Sequence, residues 1–183
     1  MIISIEELKT HSEFANKSDD ELTIMQDSIE ELVRKYTNNN FQNRNIRFVG
    51  SSKNGILEQS ITYLKVGDTI QISKSTYNDG LYVIKAIDGT ITLDKTLYDD
   101  SDFIVTKIEY PPSIKMGVLN LMKWEVSNRR KVGIQSESLS RHSVTYFSQD
   151  KNNQLLGYPV SLLGFLQPYM KARFWYDRWK HYG

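Results

Sequence analysis

Cysteine is absent from the 183 residues. Its absence excludes disulfides, thiolate nucleophiles and cysteine-held zinc. Histidine is scarce: His11, His142 and His181 lie far apart, and no pair has the spacing of an H-E-x-x-H zinc helix. Charge of one sign is also missing, since the formal net charge is +1. There is neither the basic excess that grips nucleic acid nor the acidic excess of a DNA mimic. No apolar run approaches the roughly 18 residues of a membrane span. The opening MIISIEELKTHSEF lacks the basic flank and long apolar run of a secretory signal. The expectation is a cytosolic chain, or one assembled from the cytosol, with no membrane partner.

What is present is ordinary for a folded domain: 39% hydrophobic and 25% charged residues, enough to bury a core without staples. Ser4 and Glu7 have capping-box spacing ahead of Leu8. A stronger start follows at Ser18 and Glu21, with Asp19 and Asp20 where a helix dipole favours anions. Leu22, Met25, Ile29, Leu32, Val33 and Tyr36 then form one helical stripe, and Asn38–Asn40 stops it.

Between about Asn45 and Tyr110 the pattern changes to short alternating runs: DTIQIS, LYVIKAI, TITLDKTL and DFIVTKI. YNDG and IDGT punctuate them, and Asp-Gly between alternating runs predicts hairpins. Four or five antiparallel strands follow, with Ile46–Val49 as a possible earlier member. Pro112 then opens a helix whose inner face is Ile114, Val118, Leu121 and Met122. The serine-containing stretch 133–154 reads as a loop and a short strand. Pro159 starts a last helix facing Val160, Leu163 and Leu166 or Gln167 inward, which Pro168 kinks or divides.

The predicted class is α+β. About four helices form a bundle, and a small antiparallel sheet or barrel is inserted between helices 2 and 3. Residues 1–45 and 109–183 make the bundle with a C-terminal docking tail, and 46–108 make the β module.

Chemistry is hard to find in this chain. His142 stands close to Ser140, Ser143 and Glu137, but no G-x-S-x-G elbow or oxyanion donor accompanies it. A hydrolase there is a third-ranked option behind a structural histidine. Tyr98–Asp102 (YDDSD) lacks the ladder of an EF-hand and reads as a loop between strands. NRRK at Asn128–Lys131 reads as a solvated helix end. Tyr77, Tyr82, Tyr98 and Phe103 are available for base stacking on a barrel face, with few basic companions. The expectation is a non-enzymatic chain without cofactor or metal.

The clearest outward-facing feature is RFWYDRWKHYG at residues 173–183. Tyrosine, tryptophan and arginine are the residue types that anchor interfaces. Phe174 and Trp175 could finish a helix, whereas Trp179 and Tyr182 lie beyond any clear stripe. Arg173, Phe174, Trp175, Tyr176, Arg178, Trp179 and Tyr182 are the candidate interaction residues.

The first stretch, ELKTHSEFANKSDDELTIMQDSIEELVRKYTNNNF, resembles the start of the head–tail connector proteins of long-tailed phages, also called head-completion or adaptor proteins. SESLSRHSVTYFSQ…GYPVSLLGFLQPYMKARF is similar to the end of that family. VGDTIQISKSTYNDGLYVIKAIDGTITLD is similar to a β module inserted in several phage proteins. The likeness covers the two helical ends. The β segment departs from the shortest, all-helical members, and Trp175–Tyr182 extends past the matched part. The resemblance implies a structural virion protein at the head–tail interface, passing through host cytoplasm during assembly. It implies a ring of about a dozen copies below the portal, extending the DNA channel and seating a stopper or tail-joining protein. DNA would pass without sequence-specific binding, which suits the near-neutral charge. The candidate residues would then dock into the portal or a neighbouring subunit. The alternative is a nucleic-acid-binding small barrel with helical flanks.

Overall fold

The computed structural model describes residues 1–59, 62–128, 136–139, 142–145 and 154–172, with 136–139, 142–145 and 154 described by backbone alone. Helices α1 (Ile5–Lys9) and α2 (Asp19–Thr37) come first. Six strands follow: β1 (Gln42–Lys53), β2 (Ile56–Leu57), β3 (Thr69–Ser73), β4 (Gly80–Asp88), β5 (Thr90–Leu93) and β6 (Asp100–Ile108). Then come α3 (Pro112–Asn128), two hairpins, β7 (Ser136–Leu139) with β8 (His142–Thr145) and β9 (Gln154–Leu155) with β10 (Tyr158–Pro159), and α4 (Val160–Leu163). A 3-10 helix, Gly164–Tyr169, completes the order.

The local signals act as the sequence predicts. Ser4 Oγ accepts from Glu7 N at 3.1 Å, and Ser18 Oγ accepts from Glu21 N at 3.2 Å. The apolar stripe of α2 buries Leu22, Ile29 and Val33, with Met25, Leu32 and Tyr36 packed at its edge. All four inner residues read for α3 are buried. Asp88 and Thr90 pair across Gly89, whose φ of 66° turns β4 into β5.

The expected fold class is overturned. The six strands close into an antiparallel barrel in the order β1-β2-β5-β4-β3-β6, and this barrel is the main body of the described chain. It is not a sheet inserted into a four-helix bundle. Two features of the chain explain the difference. Helix α1 has five residues and α4 has four, too short to carry bundle packing. The spacing from Pro159 to Tyr169, read as a long helix, is split between one α-turn and the 3-10 helix. Barrel closure also starts earlier than Ile46. Gln42 already pairs with Ile108, and Ser52 with Asp100.

Two cores result. The barrel interior is filled by alternate residues, among them Leu57, Ile70, Ile72, Ile84, Ile91, Phe103 and Val105. The helices bury a second cluster that includes Phe41, Ile108 and Tyr110, at the barrel end where β1 begins and β6 finishes. The opposite barrel end carries the β3–β4 and β5–β6 loops.

Candidate interaction sites

At the helical end of the barrel, α2 presents polar residues on its inner face. Glu30 is 3% exposed and accepts from Tyr110 Oη at 2.7 Å. Its other oxygen lies 3.0 Å from the Met1 amine, which also donates to Thr69 Oγ1 at 2.9 Å. Arg34 Nη2 donates to Gln71 Oε1 at 3.3 Å, while Arg34 Nη1 is buried without a hydrogen-bond partner among the described residues. Gln26 accepts from Ile3 N at 2.6 Å. Of these groups Met1, Glu30, Arg34 and Thr69 line a cleft of about 510 Å³, whose other wall is Leu81–Val83 of β4 with Asp94 and Lys95.

The electrostatics of this junction favour structure over acid–base work. Burial, then the Glu30 charge and its hydrogen bond, push the Tyr110 phenol well above its ordinary value. It remains a donor at any physiological pH. Asp27, at the mouth of the cleft, is raised first by burial, against the pull of the Met1 amine. Among the described residues no three His, Asp or Glu side chains converge as a metal site.

Sequence reasoning missed Gln26 and Glu30. The signal was available: both fall on the apolar stripe of α2, four and eight residues after Leu22. A polar group on such a stripe must find a partner once buried.

A second junction fixes the chain just before the candidate tail. Asn38, in the left-handed conformation with φ 51° and ψ 35°, caps α2. Its Nδ2 donates to Ala172 O at 2.9 Å, and Lys171 N donates to Thr37 O at 2.8 Å. Asn39 Nδ2 donates to Tyr169 O at 3.2 Å, and its Oδ1 accepts from Phe41 N at 3.0 Å. The Tyr169 ring stacks beside Phe41 with centroids 6.0 Å apart. The asparagines read as a helix stop therefore also hold residues 169–172. The interaction residues Arg173, Phe174, Trp175, Tyr176, Arg178, Trp179 and Tyr182 lie outside the described residues.

The structure separates the four barrel aromatics. Phe103 and Tyr82 are buried inside. Tyr77 and Tyr98 are exposed at 72% and 69%, with their rings edge to face and centroids 6.0 Å apart. Asn78 sets this pair. Its side chain donates to Tyr98 O at 2.9 Å and accepts from Tyr98 N at 2.8 Å, so it clamps one loop to the other. Tyr82 Oη donates to Asn78 O at 2.9 Å from within the barrel. The YDDSD carboxylates mostly serve as turn formers. Asp99 accepts from Asn54 N, and Asp100 accepts from Ser75 Oγ and Thr76 N. The Ser75 and Thr76 bonds hold the Asp100 carboxyl below the usual range.

His11 stands beside Phe14 with centroids 6.3 Å apart. His142 is described by its backbone in β8, and Ser140, Arg129, Arg130, Lys131 and His181 lie outside the described residues. No helix among the described residues is long and apolar enough to cross a membrane. The chain matches no family model and no curated protein sequence.

Proposed function

We propose that this chain is a structural virion protein, a head–tail connector subunit that forms a ring below the portal, extends the DNA channel and joins head to tail. The reading begins from the resemblance of the two ends of the chain to that family. One observation supports it beyond sequence: the two resembling stretches, far apart in the chain, pack together. Asn38 and Asn39 of the first hold Ala172 and Tyr169 of the second, across 134 and 130 residues. A net charge of +1 suits a channel that must release the DNA it passes. In this role the portal and a stopper or tail-joining protein are the partners, no cofactor is used, and the work is done by surfaces.

The test is electron microscopy of the purified chain mixed with portals of its phage. Added ring-shaped density below the portal is the expected result. Bare portals at saturating chain would overturn the reading.

The closed barrel favours a second reading, a nucleic-acid-binding barrel with helical flanks. Against it, two of the four barrel aromatics are buried, and the exposed pair sits among aspartates. The two readings part in solution. The second expects DNA binding by the free chain that falls steeply with salt, and the first expects little.

A further inference from the structure

The exposed Tyr77–Tyr98 pair is unusual because it is costly to display. Two large aromatic faces stand in water on loops that a buried asparagine, 1% exposed, locks together. A pre-set pair loses little side-chain entropy on binding, which is how aromatic anchors gain affinity. Asp79 and Asp99 stand on these two loops and Asp100 and Asp102 at the start of β6, against Lys74 on the first loop and Lys53 at the end of β1. Lys95, on the second loop, lies over the Tyr82 ring and lines the cleft with Met1. The patch is thus aromatic and acidic. Its complement is a segment that is aromatic and basic.

One segment of this chain has that chemistry. Residues 173–183 hold Arg173, Arg178 and Lys180 against one carboxylate, Asp177, together with Phe174, Trp175, Tyr176, Trp179 and Tyr182. Arginine over a tyrosine face gains cation–π attraction, and tryptophan against tyrosine gains stacking. We infer that residues 173–183 of one copy dock on the Tyr77–Tyr98 patch of the next copy.

Geometry keeps the first three aromatics of the segment off the patch of their own copy, so the whole segment can seat only on a neighbour's. The segment is rooted at Ala172, held by Asn38 close to the start of β1. The patch lies at the other end of the barrel, beside Asp100 and Ser52. Strand β6, Asp100–Ile108, separates the two ends by about 26 Å at the usual strand rise. A chain reaches at most about 3.6 Å per residue, so Trp175 gets only about 11 Å from Ala172. Phe174, Trp175 and Tyr176 cannot reach the patch of their own copy. A contact between root end and loop end is heterologous, and such contacts close into rings when the rotation allows. The inference rests on the connector reading for its setting, and supplies the contact that would close the ring.

The lack of native cysteine makes the test clean. Protein carrying Tyr77→Cys is mixed with protein carrying Trp179→Cys under mild oxidation. The expected product is a mixed disulfide dimer, forming well ahead of the pairing between Trp179→Cys and the exposed control Ile24→Cys. Equal rates for the two pairings overturn the inference. A second measurement uses a labelled peptide of residues 173–183 and fluorescence anisotropy with the full chain. Binding should weaken about tenfold or more when Tyr77→Ser and Tyr98→Ser are combined, and should weaken with salt. Unchanged binding to that variant, or none to the parent, overturns the inference. A patch variant that still builds the ring on portals overturns it while leaving the connector reading intact. Specific trapping in the free chain, with portals remaining bare, supports it and removes the connector reading.

Discussion

Tyr110 Oη donates a 2.7 Å hydrogen bond to the buried Glu30 carboxylate across 80 residues of chain. The bond joins the middle of α2 to the point where β6 passes into α3. With the buried Gln26 and Thr37 it is part of a short polar row along α2 within the helical layer.

Replacing Tyr110 by phenylalanine keeps the ring but removes the donor. Among the described residues Glu30 then retains only the Met1 amine. Hydrogen bonds to charged groups contribute about 1.5–3 kcal/mol, so Tyr110→Phe should lower stability by about that amount. Urea unfolding should show a lower midpoint with an unchanged slope.

The same residue predicts a response to alkali. In the unfolded chain tyrosine ionises near 10.0, whereas burial and Glu30 hold the folded phenol protonated well above that value. The folded state therefore keeps a proton that the unfolded state gives up. The stability this represents is complete below pH 10 and is lost as pH rises from there toward the folded value. Unfolding midpoints measured across alkaline pH should fall, and should fall less steeply in Tyr110→Phe. Tyr82, raised first by burial and then by Asp94 and Asp79, adds to the slope in both proteins.

Asn38→Gly separates two roles of one residue. Glycine accepts the left-handed backbone, so the cap survives and stability should change by only a few tenths of a kcal/mol. The bond to Ala172 O is lost. Trypsin should then cut after Lys171 faster than in the parent chain, as mass spectrometry of timed digests would show. Equal rates would mean that Thr37 and Asn39 hold the segment unaided.

Asn78→Ala should cost about 1–3 kcal/mol, because Tyr98 N loses its partner while Tyr98 O keeps the Ser52 hydroxyl. Tyr98 would stay tied to Ser52 but lose its link to the loop that carries Tyr77. Binding of the 173–183 peptide should weaken even though neither tyrosine is altered. Thermal unfolding reads the first effect and anisotropy the second.

Much of the fold is legible where one residue type controls a local choice. Ser18 starts α2, its stripe faces inward as spaced, and Asp88-Gly89 makes its hairpin. Legibility fails where the outcome depends on a distant partner. Gln42–Asn45 is polar and does not look like a strand, yet Gln42 and Asn43 pair with Ile108 and Lys107 to close the barrel. Nothing local records a pairing across more than sixty residues. The stretch Pro159–Tyr169 has helical spacing, but Gly164 and Pro168 weaken a continuous α-helix and the 3-10 form results. The candidate sites divide in the same way. Glu30 could be seen on the stripe of α2, whereas its donor Tyr110 could not be paired with it. Tyr77 and Tyr98 could be named as aromatics, but only the loop-to-loop clamp of Asn78 shows them side by side.

The β1–β6 seam has a consequence for behaviour at high concentration. Along that seam β1 and β6 spend their facing N–H and C=O groups on each other, from Gln42–Ile108 to Ser52–Asp100. That side of each strand offers no template for another molecule to extend. The opposite side of β1 is paired with β2 only at Ser52 and Lys53, so any strand-to-strand contact between crowded copies has to begin there and not at the seam.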